Sequence, residues 1–292
     1  AYEIILGLVG SEMCIRDRFV IEKIIKNALY EDLGQNGDIT SNSIIDPEVK
    51  NNFSLISRSN GVISGLFIAN LTFGLIDKNL EFSTNLSDGS KVKKGDVIAT
   101  IKGSTRSILS GERTALNFLS HLSGIASATS QMVELISSTK VKIVSTRKTT
   151  PNLRFLEKNA VKDGGGVNHR FGLYDGILIK DNHIAVSGSI KESISKAKKN
   201  SGHMVKIEIE VDNLSQYKEA IETNVDAILL DNFSLQNLRE AVNLNINNIT
   251  LEASGKINRD NIYDIAKTGI NLISSGWLTH SSPALDIGLD FE

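Results

Sequence analysis

The stretch Met204–Ser254, MVKIEIEVDNLSQYKEAIETNVDAILLDNFSLQNLREAVNLNINNITLEAS, decides the fold. It holds three apolar strand candidates, MVKIEIEV, DAILLD and ITLEAS, with helical segments at Leu214–Thr223 and Leu235–Val242 between them. Working outward, VKIVST and DGILIK precede it, INLISS follows it, and further helices fall at Ser189–Lys199 and Arg259–Lys267. Strands alternating regularly with helices indicate a parallel sheet. The six units are fewer than the eight of a complete α/β barrel. The pattern alone leaves a barrel and an open doubly wound sheet both standing.

Each strand candidate carries a chemically useful residue at its carboxyl end. In order these are Thr146-Arg147-Lys148, Lys180-Asp181-Asn182, Glu210, Asp231-Asn232, Ser254-Gly255-Lys256 and Ser275-Gly276. Ligands of parallel α/β folds bind at that end of the sheet. Apolar strands need no charged ends for stability, so the ordered series points to a ligand. The glycines of SGK and SSG offer backbone amides to an anion, and SGK leads toward a helix expected near Arg259.

Between the first two strands runs STRKTTPNLRFLEKNAVKDGGGVNHRFGLYDGILIKDNH, Ser145–His183. It gathers Arg147, Lys148, His169, Arg170 and Lys180 around the triplet Gly164–Gly166 in a chain whose net charge is only -2. Guanidinium and ammonium groups match carboxylate and phosphate oxygens, and glycines let a backbone approach a ligand closely. A small, multiply charged anion fits this concentration.

The preceding half reads differently. FVIEKIIKNALYEDL predicts a short helix burying Val20, Ile24, Ile25, Ala28 and Leu29, and GQNGDITSN reads as loop. Short alternating segments from Phe53 to Ile101 predict strands, with DGSKVKKGDVIATIKG as a plain structural hairpin lacking any modified-lysine motif. SILSGERTALNFLSHLSGIASATSQMVELISS predicts a helix with Leu109, Ala115, Leu116, Leu119 and Leu122 inward, broken or bent at Gly124. Arg113 is placed near the start of that helix, where the dipole does not favour a cation, so a ligand or a salt bridge must hold it.

With 40% hydrophobic and 23% charged residues the chain has the composition of a globular protein. Cys14 is the only cysteine, which excludes internal disulfides and cysteine-based metal cages and suits a reducing cytoplasm. The balanced charge argues against nucleic acid as a partner. IILGLVG is too short to span a bilayer and lacks signal-peptide flanks. No Walker spacing, dinucleotide fingerprint, zincin pair or nucleophile elbow is present. Residues 1–18 show no usable periodicity and are expected to be an appended or disordered segment.

SGERTALNFLSHLSGIA, TRKTTPNLRFLEKNAVKDGGGVNHR, ILIKDNHI, EIEVDNL, ILLDNF, LEASGKI and LTHSSPALDIGLDF, in that order from Phe19 onward, resemble the quinolinate phosphoribosyltransferases. The resemblance implies an N-terminal α/β sandwich domain over 19–126, to which a tail over 281–292 returns. It also implies an incomplete six-stranded α/β barrel over 127–280. It further implies a cytoplasmic homodimer with shared sites, alone or assembled into a hexamer, and Mg²⁺ with no organic cofactor. The reaction would convert quinolinate and 5-phosphoribosyl 1-diphosphate to nicotinate mononucleotide, diphosphate and CO₂.

By the same resemblance Arg113 reaches the neighbouring subunit's site, Arg147, His169 and Arg170 match the quinolinate-carboxylate contacts, and Thr146 is a substrate-binding residue. Lys148 and Lys180 stand between the two substrates. Glu210 and Asp231 lie near the ribose hydroxyls and the metal. Ser254, Gly255 and Lys256, with Ser275, Gly276 and Trp277, line the 5-phosphate. Lys256 and Trp277 depart from the residues common at their positions, and neither removes a catalytic group. Two other readings stay open. A molybdate-transport-associated homologue with another substrate is opposed by the complete set Arg113, Arg147, His169, Arg170 and Lys180. A non-catalytic metabolite-binding barrel is opposed by Glu210 and Asp231.

Overall fold

A computed structural model describes residues 15–292, with side-chain burial from Phe19. In chain order the first elements are α1 (Ile15–Leu33), α2 (Ile39–Ile44), β1 (Lys50–Ser57), β2 (Gly61–Val62), α3 (Leu66–Ile76), β3 (Glu81–Ser83), β4 (Lys91–Val92), β5 (Val97–Ser104) and α4 (Thr105–Leu135). There follow β6 (Lys142–Val144), α5 (Arg154–Asp163), β7 (Ile177–Ile179), α6 (Asp181–Ser187), α7 (Ile190–Asn200), β8 (Ile207–Val211), α8 (Leu214–Ile221) and β9 (Ala227–Asp231). The last are α9 (Leu235–Leu244), β10 (Thr250–Ser254), α10 (Ile262–Ala266), β11 (Leu272–Ser274), α11 (Trp277–His280) and β12 (Ile287–Phe291). One compact unit runs up to Gly124 and takes back Ala284–Glu292; the other spans Ile125–Pro283.

The first unit is built on a four-stranded sheet in the order β12-β1-β5-β3. The C-terminal strand pairs antiparallel with β1, setting Phe53 opposite Phe291, whose rings meet edge to face at 5.5 Å. Sheet residues Phe53, Leu55, Ala99 and Ile101 share a core with Leu66, Ala69 and Phe73 of α3 and with Ala115, Leu116 and Leu119 of α4. Leu109 packs against this cluster, and Leu122 is also buried.

Five local expectations for this unit need correction. In α1 the buried positions are Ile21, Ile25 and Leu29, while Val20 is exposed; Ile21, Ile25 and Leu29 follow the i, i+4, i+8 spacing of one helical stripe. The segment read as loop contains α2, whose first turn is closed by Asp38 accepting from Ser41 N at 3.0 Å. β4 and β5 do not form a hairpin, because β4 pairs with β2 and β5 pairs with β1 and β3. α4 runs through Gly124 without interruption, and Arg113 is its ninth residue, beyond the reach of the end dipole. The expected appended segment lies, for residues 1–14, outside the described residues; Ile15–Arg18 form the first turn of α1.

The second unit carries a six-stranded sheet in the order β6-β11-β10-β9-β8-β7, with all five strand pairs parallel. β6 and β7 are its edges, so the sheet is an incomplete α/β barrel. Alternation sets its two faces. In β8, Ile207, Ile209 and Val211 belong to the apolar core with Tyr217 and Ala220 of α8, while Glu208 and Glu210 point to the opposite face. Backbone pairing puts Ser254 of β10 beside Asp231 of β9.

Candidate active site

The polar face of this sheet and the loops leaving its carboxyl ends collect nearly all the expected residues. After β6 come Ser145, Thr146, Arg147 and Lys148, in a turn held by Lys148 N donating to Thr146 Oγ1 at 3.1 Å. Thr279 Oγ1 of α11 donates to the Lys148 carbonyl at 2.7 Å and fixes that turn against the last loop. Lys180 caps α6 and forms an ion pair with Glu210. Asp231 ends β9, half-buried, with Asn232 Nδ2 donating to it at 2.7 Å. Arg113 stands exposed on α4 in the first unit.

The loop bearing His169 and Arg170 is held from several sides. Arg170 Nη1 donates to the Gly176 carbonyl at 2.8 Å, and Asp175 accepts from the Phe171 and Gly172 amides at 2.6 and 2.8 Å. His169 Nε2 meets Glu208 Oε2 at 2.7 Å and lies 3.9 Å from Glu252 Oε2. Its Nδ1 accepts from the Arg170 backbone N–H at 2.7 Å, so both ring nitrogens are engaged within the protein. Burial resists charging His169, but the Glu208 hydrogen bond and the charges of Glu252 and Glu208 outweigh it and raise its pKa. Burial, with the Glu208 charge beside it, pushes the Glu252 carboxyl up to about 7.

Glu208, Glu252, Lys158, Glu157 and Arg154 went unnoticed in the sequence. Glu208 and Glu252 sit on strands, on the same face as the expected Glu210 and Ser254, and a period of two from those residues would have found them. Lys158 is 0% exposed on α5, one residue after the equally buried Glu157. Glu157 belongs to the stripe of Ala160 and Val161, a spacing of three and four that marks the buried side of a helix. Arg154, one turn earlier, donates from Nε to Thr149 Oγ1 at 3.0 Å and from Nη1 to the Phe171 carbonyl at 3.0 Å. α5 thus braces both cation-bearing loops.

The charge balance shows what the site lacks. Arg147 Nε, Arg170 Nε and Asn168 Nδ2 are buried donors with no hydrogen-bond partner, and Glu252 Oε1 is the matching case of an acceptor. Burial and the neighbouring Arg147 charge both lower the Arg170 pKa. Donors in excess beside mutually repelling guanidiniums are what an anionic ligand relieves. His169, Glu208 and Glu252 bring ligand-type atoms within 4.8 Å of one another. The buried Lys158 ammonium, which feels both His169 and Glu252, makes that trio a poor cation site.

The Gly164–Gly166 triplet lies against α4. A Cβ on Gly164 would collide with the Ala126 carbonyl and stand 2.6 Å from Thr129 Cβ, so the triplet serves close packing against α4. In the SGK loop Gly255 has φ +96, and a Cβ there would stand 2.6 Å from Asn232 Cγ. Lys256 follows at φ 50, and α10 begins only at Ile262, three residues later than expected. Ser275 Oγ donates to the Ile257 carbonyl at 3.2 Å, joining this loop to the one after β11. Trp277 faces the Arg259 guanidinium at 5.8 Å from its ring centroid, which accounts for the aromatic there. An apolar cavity of about 550 Å³ between β7, α6 and α7 is lined by none of these cations or carboxylates.

Two family models match the chain: quinolinate phosphoribosyl transferase, N-terminal domain, over residues 38–123, and its C-terminal domain over 125–290. A Bacillus subtilis (strain 168) protein named probable nicotinate-nucleotide pyrophosphorylase [carboxylating] is 44% identical over 270 residues, 92% of this chain and 93% of its own. The crystal structure of NadC from Streptococcus pyogenes superposes with a TM-score of 0.91 at 40% identity, covering 97% of this chain and 100% of that one. The nicotinate-nucleotide pyrophosphorylase structure from Ehrlichia chaffeensis gives a TM-score of 0.88 at 45% identity, covering 92% and 98%.

Proposed function

The chain belongs to the quinolinate phosphoribosyltransferase family, and from that premise we propose how its residues join quinolinate to 5-phosphoribosyl 1-diphosphate. It is an enzyme, a phosphoribosyltransferase of NAD biosynthesis. The products are nicotinate mononucleotide, diphosphate and CO₂. The observation that carries the site assignment is the cluster of buried, unpartnered donors on Arg147, Asn168 and Arg170. Two adjacent carboxylates on a pyridine supply the acceptors those donors lack.

Quinolinate binds with its carboxylates toward Arg147, Arg170 and the His169 loop, which leaves its ring nitrogen free to face the ribose. The 5-phosphate lies on the backbone of Ser254–Lys256 and of Ser275–Gly276, with Trp277 closing that end. The ring nitrogen forms its bond to C1 of ribose as the bond from C1 to diphosphate breaks. Positive charge growing on the ribose is stabilised by the carboxylates of Glu210 and Asp231. Lys148 and Lys180 offset the charge on the leaving diphosphate. The ribosylated ring nitrogen, now positive, accepts the electron pair released when the C2 carboxylate departs as CO₂, and C2 then takes a proton. No organic cofactor is required.

Glu210 and Asp231 are half-buried oxygen donors near the carboxyl ends of adjacent strands, a donor set that fits Mg²⁺ held jointly with substrate oxygens. When bound, the ion would supply charge neutralisation at the diphosphate. A homodimer in which exposed Arg113 completes the neighbouring subunit's site belongs to the same reading, as does a cytoplasmic location. Among the described residues no helix is long and apolar enough to cross a membrane. The test is nicotinate mononucleotide formation from quinolinate, 5-phosphoribosyl 1-diphosphate and Mg²⁺. Absence of product with a folded protein overturns the reading.

A further inference from the structure

Lys158 takes no direct part in the chemistry above, yet it is a lysine with 0% exposure. Burying an ammonium is unfavourable unless its donors are used. Its Nζ donates to Ser145 Oγ at 2.8 Å and to the His169 carbonyl at 3.0 Å, and lies 5.2 Å from the Phe171 ring centroid. An ammonium can only donate, so Ser145 Oγ accepts from it. The one hydroxyl hydrogen of Ser145 therefore goes to Asn168 Oδ1, 2.9 Å away. That order leaves Asn168 Nδ2 as the free end of its amide, and Nδ2 is one of the buried unpartnered donors. The arrangement does not make Ser145 a nucleophile, because Ser145 is 0% exposed and its hydrogen is committed.

The chain Lys158–Ser145–Asn168 joins the exit of β6, two residues before Arg147, to the segment of His169 and Arg170. Around the ammonium, Asp175 and Glu252 favour its charge, while Arg154 and Arg147 oppose it, as does His169 whenever it is charged. Burial is the largest influence, and together these bring the Lys158 pKa down to about 8.

We propose that Lys158 is a positioning residue for quinolinate: its buried ammonium clamps the two cation-bearing segments so that Arg147, Asn168 and Arg170 are set for two adjacent carboxylates. The inference rests on the assignment of the quinolinate site given above. A dianion bound beside Lys158 stabilises the ammonium in return and raises its pKa. Quinolinate is then held most tightly below about pH 8, where Lys158 is charged whether or not substrate is bound. Affinity falls as pH rises beyond that, by about tenfold for each pH unit by which substrate raises the Lys158 pKa. Glu252, near 7, gives a separate step at lower pH.

The experiment combines steady-state kinetics of wild type and Lys158→Met with calorimetric titration of quinolinate across pH in two buffers. Lys158→Met should raise the quinolinate KM by about tenfold or more while shifting the phosphoribosyl-donor KM by less than about twofold. Wild type should take up protons on binding near pH 8 and weaken above it, and the variant should lose that limb. Parallel losses in kcat and both KM values, with the limb intact, would reduce Lys158 to a structural group. Should Lys158→Met not fold, wild type decides alone, since an affinity flat above about pH 7.5 without proton uptake overturns the proposal. Failure of wild type to bind quinolinate at all would overturn the underlying site assignment, and the proposal with it.

Discussion

Replacing Glu252 by glutamine should stabilise the protein at alkaline pH and, where the carboxyl is protonated in both states, leave it slightly less stable. Glu252 is 1% exposed, it stands beside Glu208, and its Oε1 has no partner. Burial first, and the Glu208 charge second, carry its pKa from 4.5 to about 7. Because the folded-state value is the higher one, folding favours the protonated carboxyl. Below pH 4.5 both states are protonated and nothing is lost. As pH rises from there to about 7 the cost of ionising the buried group accumulates, reaching about 3 kcal/mol at roughly 1.4 kcal/mol per pH unit. Glutamine removes that cost but adds a buried N–H₂ that needs an acceptor, which returns about 1 kcal/mol. The net gain, about 2 kcal/mol, corresponds to a rise in Tm of about 4–8 °C for a unit of this size. Calorimetric melting at about pH 8 and pH 5 measures it. A variant that melts below wild type at the higher pH, or gains equally at both, would refute the reasoning.

Nicotinate, lacking the C2 carboxylate, should be a poor substrate, because one buried cation loses its partner at a cost of about 2–5 kcal/mol, or roughly 30- to several-thousand-fold in kcat/KM. Comparable kcat/KM values for the two acids would defeat the assignment of Arg147 and Arg170. Gly164→Ala should lower Tm by about 3–10 °C, since the new Cβ meets backbone at Ala126 and cannot be relieved by a rotamer change; an unchanged melting curve would show that α4 yields there. Alanine variants of Arg113 and Lys180, each nearly inactive, should regain activity when mixed under conditions of subunit exchange, because one hybrid site then holds both intact residues. Demonstrated heterodimers without recovery would place Arg113 in its own subunit's site or outside any site.

What could be read in advance divides along a physical line. IEIEV and AILLD announce themselves because a parallel strand is covered on one face by helices and lined on the other by whatever the site requires. Apolar residues and strand-end acids therefore alternate or abut within five residues. Glu210 and Asp231 are visible by that rule. Lys158 is not, because a lysine in a helix is ordinarily solvated, and only the tertiary position of α5 reveals that Ser145 and His169 receive its hydrogens. Asp38 was hidden for the opposite reason. Its capping bond to Ser41 is wholly local, but the helix it opens is only six residues long and too short for periodicity to register. The triplet Gly164–Gly166 shows the limit most clearly. Glycine in a sequence says that something comes close to the backbone, without saying whether it is a ligand or a neighbouring helix. Here it is α4, while the unpartnered donors of Arg147, Asn168 and Arg170 lie on the loops that α5 holds in place.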